Sequence, residues 1–379
     1  MLRENIKNII SNYLNNQASE EEVDQLLLWI EDADNLKEFN EYLMVNHYLN
    51  SSFNEFNALK AYNKSTSKEK KKKKYTFFKY AVAASVVMLI SLSVVFTKNN
   101  TIEETPLPIV AESMVVIGTD KAILTLENGE SVSLEKGANY SNSNIKSNGE
   151  ELVYAAKKGK TKLVYNYLSV PRGGQFVIKL SDGTKVWMNS ESKIKYPKSF
   201  IEGESRKVEL LYGEAYFDVS PSTSHKGANF KVVTGAQEVV VLGTEFNVKA
   251  YKGEEAIYTT LVEGSVLVGK NSEKLKIKPG EQSVVNSVDN NIKVKKINTA
   301  LETSWRQGLF VFDKKSLAEM MNVLSRCYDV DVVFEDESKK KIVFTGFLKR
   351  KDSVNQLLES LKKTGEFDYK IKNNTIIIK

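Results

Sequence analysis

The chain has 379 residues, enough for two or three domains. It is 41% hydrophobic and 27% charged, which is typical of folded protein and excludes a chain that is disordered throughout. The net charge of +6 is unevenly distributed. The single cysteine, Cys327, excludes an intrachain disulfide framework and a Cys-ligated metal site. His47 and His225 lie far apart in sequence, which disfavours a histidine metal site or triad.

Residues 1–64 form an acidic, helical segment. They contain 11 acidic and 5 basic side chains, and their apolar residues recur at the three-to-four spacing of amphipathic helices. Ser19 and Glu22 have the spacing of a capping box, which predicts a helix that carries Leu26 and Trp29. We expect a small cytoplasmic bundle of short helices. Its acidity disfavours direct nucleic-acid contact and favours a basic protein partner, although a merely solvated helix surface is equally compatible with the charge.

An apolar run follows a lysine cluster. Residues 65–79 form a basic linker that includes five consecutive lysines. The predicted span is residues 80–97, in which residues 80–96 form a run of 17 without a charge. With its flanks this run reaches the roughly 20 residues that a spanning helix needs. A signal peptide would begin near the first methionine, and a buried core helix would rarely follow such a lysine run. The positive-inside rule places the N-terminus in the cytoplasm. Residues 98–112 contain two prolines and are expected to form a tether on the opposite side.

Residues 113–300 are rich in predicted β-strands. Asn128-Gly129 and Asp182-Gly183 each separate two short apolar runs, the signature of a β-hairpin. Glycines punctuate the later strands where turns or bulges are expected. We predict an all-β sandwich or solenoid, with a polar loop over residues 137–160. The PRGGQF stretch at residues 171–176 lacks a following Gly-Lys-Ser/Thr and is interpreted as a turn, not a phosphate loop.

Residues 305–379 change to an α+β pattern. Strand-like runs alternate with two amphipathic segments, one from Lys315 to Tyr328 and one opened by Ser353. Cys327 falls on the apolar face of the first segment, which favours a core position over a reactive thiol. Asn373-Asn374 predicts a terminal hairpin turn. The pattern predicts a β-α-β unit used twice.

Three motifs resemble the FecR family of transmembrane anti-sigma factors. They are LYGEAYFDV at residues 211–219, VLGTEFNV at residues 241–248 and PGEQ at residues 279–282. The family-motif positions, expected to be structural, are Gly213, Gly243, Thr244, Phe246, Pro279 and Gly280. The segment from Trp305 onward resembles the secretin and TonB short N-terminal domain that often closes such proteins.

The resemblance implies a relay across the inner membrane, with a single pass and a periplasmic C-terminus. The partners it implies are an extracytoplasmic-function sigma factor in the cytoplasm and the signalling domain of an outer-membrane TonB-dependent transducer in the periplasm. A site-2-type protease is a further implied partner. The sigma contact is expected at Glu22, Leu26 and Trp29, although relatives carry several tryptophans here and this chain has only Trp29.

No catalytic, cofactor-binding or metal-binding residues are predicted, and we expect a regulatory protein that is not an enzyme. Two alternatives remain at this point. The β-rich region could belong to a membrane-anchored envelope enzyme or carbohydrate-binding protein, or the α+β terminus could belong to a secretin-associated envelope scaffold.

Overall fold

The structure is a computed structural model. It describes residues 18–30, scattered positions between 6 and 42, and residues 121–379 except 143, 156–162, 287–290 and 351. The predicted basic linker, membrane span and tether (65–79, 80–97 and 98–112) lie outside these residues. Within the described part of the chain, no helix is both long and apolar enough to cross a membrane.

Helix α1 (Glu20–Trp29) begins at the predicted capping box. The Ser19 backbone N–H donates to Glu22, and the Glu22 backbone N–H donates to the Ser19 hydroxyl. Leu26 packs in a small apolar cluster with Ile9, Ile10 and Phe39. The rest of the predicted bundle over 1–64 falls mostly outside the described residues and stays a prediction.

Most of the described chain is β-structure, as predicted. Its first eighteen strands are β1 (Lys121–Thr125), β2 (Ser131–Glu135), β3 (Tyr140–Ser141), β4 (Ile145–Ser147), β5 (Glu151–Tyr154), β6 (Tyr165–Val170), β7 (Phe176–Lys179), β8 (Lys185–Met188), β9 (Ser192–Pro197), β10 (Arg206–Asp218), β11 (Phe230–Thr234), β12 (Gln237–Val241), β13 (Glu245–Ala250), β14 (Ala256–Glu263), β15 (Val266–Lys270), β16 (Glu273–Ile277), β17 (Glu281–Asn286) and β18 (Ile292–Lys296).

These strands form two sheets that share β10. The first sheet has the order β2-β1-β6-β9-β10-β11-β12-β15-β16, and the second has the order β3-β4-β5-β7-β8-β10-β13-β14-β17-β18. Alternate residues of both sheets meet in one buried apolar cluster. The arrangement is the sandwich of the two predicted alternatives, and the hairpins β1–β2 and β7–β8 are confirmed.

Strand β10 passes from one sheet to the other at a glycine. Its first half pairs with β9 and β11, and its second half pairs with β8 and β13. The register with β9 shifts between Leu210 and Tyr212, and Gly213 then adopts a φ of +100°. A Cβ at Gly213 would lie 2.4 Å from the Ser192 Cα, so the crossing requires glycine.

The predicted loop over residues 137–160 is wrong where the structure describes it. Strands β3, β4 and β5 lie within it, and Ile145, Leu152 and Tyr154 bury their side chains in the sandwich core. The stretch looks polar because these few inward residues are separated by serine, asparagine, lysine and glycine. Strand pairing and burial of every second residue outweigh its low average hydrophobicity.

The C-terminal domain follows a short helix, α2 (Thr299–Thr303), and a 3₁₀ turn at Ser304–Gln307. Its elements are β19 (Leu309–Ser316), α3 (Leu317–Tyr328), β20 (Asp331–Phe334), a 3₁₀ turn (Glu337–Lys341), β21 (Val343–Lys349), α4 (Val354–Lys362), β22 (Tyr369–Lys372) and β23 (Thr375–Ile378). β19 pairs with β21, and β20 pairs with β23, which also pairs with β22. The repeated β-α-β order and the hairpin turn at Asn373-Asn374 are confirmed.

Replacing Gly213 with alanine tests the crossing of β10. The new Cβ would collide with the Ser192 backbone, and the left-handed conformation would be strained, so we expect a loss of about 3 kcal/mol or more in unfolding free energy. Thermal denaturation of the full chain in detergent measures it. Gly280→Ala is the control, because Gly280 also has positive φ but nothing lies within 4 Å of its Cβ position. Equal losses at both sites would contradict the steric role of Gly213.

Candidate functional site

A cavity lies between the second sheet and the C-terminal domain. Its volume is about 650 Å³, a size common for binding clefts. Its walls include Glu214, Lys249 and Tyr251 from the sheet, and Trp305 and Arg326 from the chain that follows. We call the contacts between residues 121–298 and residues 305–379 the joint.

Arg172 fastens the PRGGQF loop to the C-terminal domain. Its guanidinium lies 3.0 Å from an Asp331 carboxylate oxygen and 3.3 Å from one of Asp329. It also donates to the Ser325 carbonyl (3.1 Å) and hydroxyl (3.0 Å) and to the Val330 carbonyl. These acceptors lie at the end of α3, where carbonyl groups lack helix partners, so one arginine satisfies several of them.

Gly173, which follows Arg172, extends the same contact through the backbone. The Gly173 N–H donates to the Arg326 carbonyl at 2.7 Å, and the Gly173 carbonyl accepts from the Arg350 guanidinium at 3.0 Å. Gly173 has a φ of +80°, which glycine adopts without strain. The loop is therefore a docking element and not only a turn.

Arg326, on α3 of the C-terminal domain, contacts the sandwich. Its guanidinium lies 2.7 Å from Glu254 and 3.5 Å from Glu191, and it stacks over the Tyr251 ring at 3.7 Å. Glu254 also pairs with Lys249 at 3.1 Å. A guanidinium shared between two carboxylates and an aromatic face gives this contact directional specificity.

An aromatic contact completes the joint. Tyr216 and Trp187, on the outer face of the second sheet, pack edge to face with ring centroids 5.7 Å apart. Both belong to the apolar cluster of the C-terminal domain. The Arg306 guanidinium lies 3.4 Å from the Tyr216 ring centroid, and burial raises the pKa of Tyr216 further above the physiological range.

Glu214 is a carboxylate buried at the cavity wall. Asn189 and Asn247 each donate an amide hydrogen to it at 2.9 Å, and the Tyr251 hydroxyl lies at 3.4 Å. Burial raises the pKa of Glu214 despite the opposing effects of Lys249 and the two asparagines. Burial alone would lower the pKa of Lys249, but Glu214 and Glu254 raise it overall. The cluster is thus an electrostatically coupled unit in a poorly hydrated place.

The residues predicted to bind a sigma factor lie on α1, away from this cavity. Leu26 is only 2% exposed and contributes to the apolar cluster, and Glu22 forms the capping box. Trp29 is partly buried against the same cluster. Leu27 and Leu28 are instead 54% and 68% exposed, so the helix presents a leucine pair that the sequence analysis did not single out.

The family-motif residues are spread through the sandwich and shape its turns. Thr244 follows Gly243 and donates its hydroxyl hydrogen to the Ser265 carbonyl at 3.1 Å. Phe246 is fully buried and stacks on Phe217 with centroids 5.1 Å apart. Pro279 and Gly280 form the turn between β16 and β17. The structure does not bring these positions together into one site.

The joint residues were not predicted from the sequence. Arg172 was visible only as the arginine of a Pro-Arg-Gly-Gly turn, and its partners come from more than 150 positions away. Glu214 lies inside the GEAYFDV motif, on the same side of β10 as Tyr216, and a carboxylate within a largely apolar strand was the available signal. In the described part of the chain, no group of three or more His, Cys, Asp or Glu side chains could hold a metal ion.

Two family models match the chain. The one described as FecR protein matches residues 166–267, and the one described as FecR, C-terminal matches residues 309–378. The chain therefore carries both domains of the FecR family. The FecR match lies within the sandwich, and the FecR C-terminal match lies within the C-terminal domain. Comparison with curated proteins gives no match.

Solved structures agree with this assignment. Two crystal structures, at 1.65 and 2.50 Å resolution, are of a protein described as a "putative anti-sigma factor" from Parabacteroides distasonis ATCC 8503. Each is 28% identical to this chain, with a TM-score of 0.51, and the match covers 56% of this chain and 98% of that one. The likeness of this chain to that protein therefore includes its three-dimensional structure.

Replacing Arg172 with alanine tests whether the joint holds the two domains together. The change leaves the Ser325 and Val330 carbonyl groups without this donor, whereas Asp329 and Asp331 are 59% and 71% exposed and contribute little. We therefore expect a loss of about 1–3 kcal/mol in the stability of the docked state. Trp187 and Trp305 flank the joint, and tryptophan fluorescence during urea titration of the full chain reports its opening. Lys226→Ala is the control, because it removes an ion pair whose partners are 67% and 65% exposed and should cost less than about 0.5 kcal/mol. A transition unchanged in R172A would contradict the docking role.

Glu214→Gln tests the buried carboxylate. The pKa of Glu214 is higher in the folded than in the unfolded chain, so its contribution to stability is present below its unfolded pKa and is lost as pH rises through its folded pKa. The glutamine side chain does not titrate. If the Asn247 side-chain amide rotates by 180°, its oxygen, which lacks a hydrogen-bond partner, can accept a hydrogen bond from the new glutamine amide. We expect the melting temperature of the wild type to fall relative to E214Q as pH rises from 4.5 to 8. A constant difference would show that Glu214 does not titrate differently in the folded chain.

Proposed function

We propose that the chain is a single-pass inner-membrane anti-sigma factor. It binds an extracytoplasmic-function sigma factor in the cytoplasm and contacts the signalling domain of an outer-membrane TonB-dependent transducer in the periplasm. The observation that carries the proposal is the presence of FecR and FecR C-terminal domains in one chain. The likeness to a solved structure described as an anti-sigma factor supports it. The role is regulatory and not enzymatic.

The cytoplasmic contact is assigned to the acidic segment 1–64, with helix α1 as its described element. Leu27 and Leu28 are exposed beside Glu21 and Asp24, which are also exposed. An apolar pair within an acidic rim fits a partner with an apolar groove and basic edges. Trp29, Leu26 and Glu22 would then support the helix that presents the pair.

The periplasmic signal is assigned to the joint. Its described contacts combine ion pairs, backbone hydrogen bonds and one aromatic cluster, with a cavity between the domains. Interdomain contacts of this mixed polar kind allow relative movement more readily than a continuous apolar interface. A transducer domain that binds the C-terminal domain could thus change the docking of that domain on the sandwich. Regulated cleavage by a site-2-type protease would carry the change across the membrane.

The proposed topology conflicts with two contacts between the N-terminal segment and the C-terminal domain. In the structure Tyr42 packs edge to face on Phe347, with centroids 5.3 Å apart, and Lys349 lies 3.6 Å from Glu38. A membrane crossing at 80–97 would place these pairs on opposite sides of the bilayer. The topology and these contacts are mutually exclusive, and topology mapping decides between them.

A two-hybrid assay between the full chain and its cognate sigma factor tests the function. We expect binding in the wild type and a loss of about tenfold or more in Leu28→Asp, because a charge replaces an exposed apolar contact. Leu242→Asp is the matched control, since Leu242 is 60% exposed but lies in the periplasmic domain and should leave binding unchanged.

The same strains carry reporter fusions. A fluorescent protein joined after residue 64 should be active, and alkaline phosphatase joined at the C-terminus should be active, because the first matures in the cytoplasm and the second outside it. Absence of any sigma complex would reject the anti-sigma role. A cytoplasmic C-terminus would reject the crossing even if the complex forms.

A further inference from the structure

The two outer faces of the sandwich differ in what covers them. On the second sheet, Trp187, Tyr216 and Val262 pack against the core of the C-terminal domain. On the first sheet, every second side chain of the strands points away from the core. Among the described residues, no domain packs on this outer side. We call it the basic face.

Lysine dominates the basic face. In strand register, Lys207 lies beside Lys231, and Lys276 pairs across from Leu267. The outward charged residues are Lys121, Lys193, Lys195, Lys207, Lys231, Lys274 and Lys276, with Glu135, Glu209 and Glu238. Seven lysines against three glutamates give the face a clear excess of positive charge. Two of the lysines pair with carboxylates, Lys195 with Glu209 and Lys231 with Glu238, and Lys207, Lys274 and Lys276 are exposed.

Aromatic and apolar groups lie among these lysines. The ammonium of Lys193 lies 5.5 Å from the Tyr167 ring centroid, and that of Lys195 lies 5.1 Å from the Tyr165 centroid. Ile123 is 44% exposed on the same face, and Leu211 is 38% exposed. Tyrosine beside lysine, with scattered exposed aliphatic groups, is the composition that favours the boundary between water and lipid headgroups.

We propose that the basic face binds the surface of an anionic phospholipid bilayer. Nine neighbouring strands spaced about 4.8 Å apart make a face roughly 40 Å wide, broad enough to contact many headgroups at once. Each lysine near such a surface adds to the electrostatic attraction. The predicted tether of residues 98–112 spans at most roughly 50 Å, so the face stays near the membrane and its local concentration there is high.

This inference rests on the membrane crossing in the proposed function. It adds a resting position for the FecR domain, with the sandwich lying on the bilayer and the C-terminal domain turned away from it. The two faces of one sandwich would then serve two contacts, lipid on the first sheet and the C-terminal domain on the second.

The experiment places the full chain in lipid nanodiscs of either phosphatidylcholine alone or phosphatidylcholine with about one third phosphatidylglycerol. Ser169, which points outward on β6, is replaced with cysteine in a Cys327→Ala background and labelled with a donor fluorophore. Energy transfer to an acceptor on the lipid headgroups measures its distance from the surface. We expect higher transfer with phosphatidylglycerol, lost in high salt because exposed charges are then screened.

Two triple variants decide the assignment. K207Q/K274Q/K276Q should reduce the phosphatidylglycerol-dependent transfer at least about threefold. K341Q/K370Q/K372Q removes the same charge from exposed lysines of the C-terminal domain and should leave it unchanged. Equal transfer in both lipids, or equal reduction by both variants, would overturn the proposal. Loss of transfer on adding a soluble polyanion, with no effect of phosphatidylglycerol, would also overturn it and would assign the face to an anionic polymer.

Insertion of the chain into the bilayer is measured separately, as co-elution of the chain with the nanodisc. A chain that does not insert contradicts the proposed crossing. A chain that inserts without approach of the Ser169 label contradicts only the basic face, so the two failures are distinguishable.

Discussion

The structure depends on how strand β10 passes from one sheet to the other. Between Leu210 and Gly213 the strand leaves β9 and joins β8 and β13, and the two sheets therefore share one continuous backbone. The crossing is held on its first side by Arg206, whose guanidinium lies 2.8 Å from Asp182 with both side chains 2% exposed. A buried ion pair of this kind is costly to leave half-made, so it ties the β7–β8 turn to the start of β10. The close approach of Gly213 to Ser192 fixes the position of the bend.

Much of this fold could be predicted from sequence because local signals agreed with the tertiary structure. The capping boxes at Ser19, Ser316 and Ser353 each begin a helix, and Asn373-Asn374 turns the last hairpin with both residues at positive φ. Cys327 is buried as expected. These features need only a few neighbouring residues. The strands at 140–154 could not be predicted in this way, because their stability comes from pairing across the second sheet and not from their own composition.

The joint could not be predicted for a different reason. Arg172 belongs to a turn, and nothing within the turn shows that Asp329 and Asp331 lie beside it in space. Glu214 has the same difficulty, since alternation places it on the same side of β10 as Tyr216 but only the fold brings Asn189 and Asn247 to its oxygens. Family motifs are only a partial guide to such positions. The motif at residues 211–219 contains Glu214 and Tyr216, but Arg172 and Arg326 lie outside all three motifs, and Gly243, Phe246 and Gly280 maintain the sandwich.

Strand β10 also relates the two surfaces of the sandwich. Its first half contributes Lys207 and Glu209 to the basic face, and its second half contributes Glu214 and Tyr216 to the joint. A change in docking at Tyr216 and Arg306 therefore acts on the same strand that carries Lys207. Because β10 is hydrogen-bonded to neighbouring strands on both sides of Gly213, a displacement of its second half has to be taken up by rotation of the sandwich or at the bend itself. We infer that the sandwich responds to its C-terminal domain as a unit, and that its orientation, more than its internal structure, is what changes.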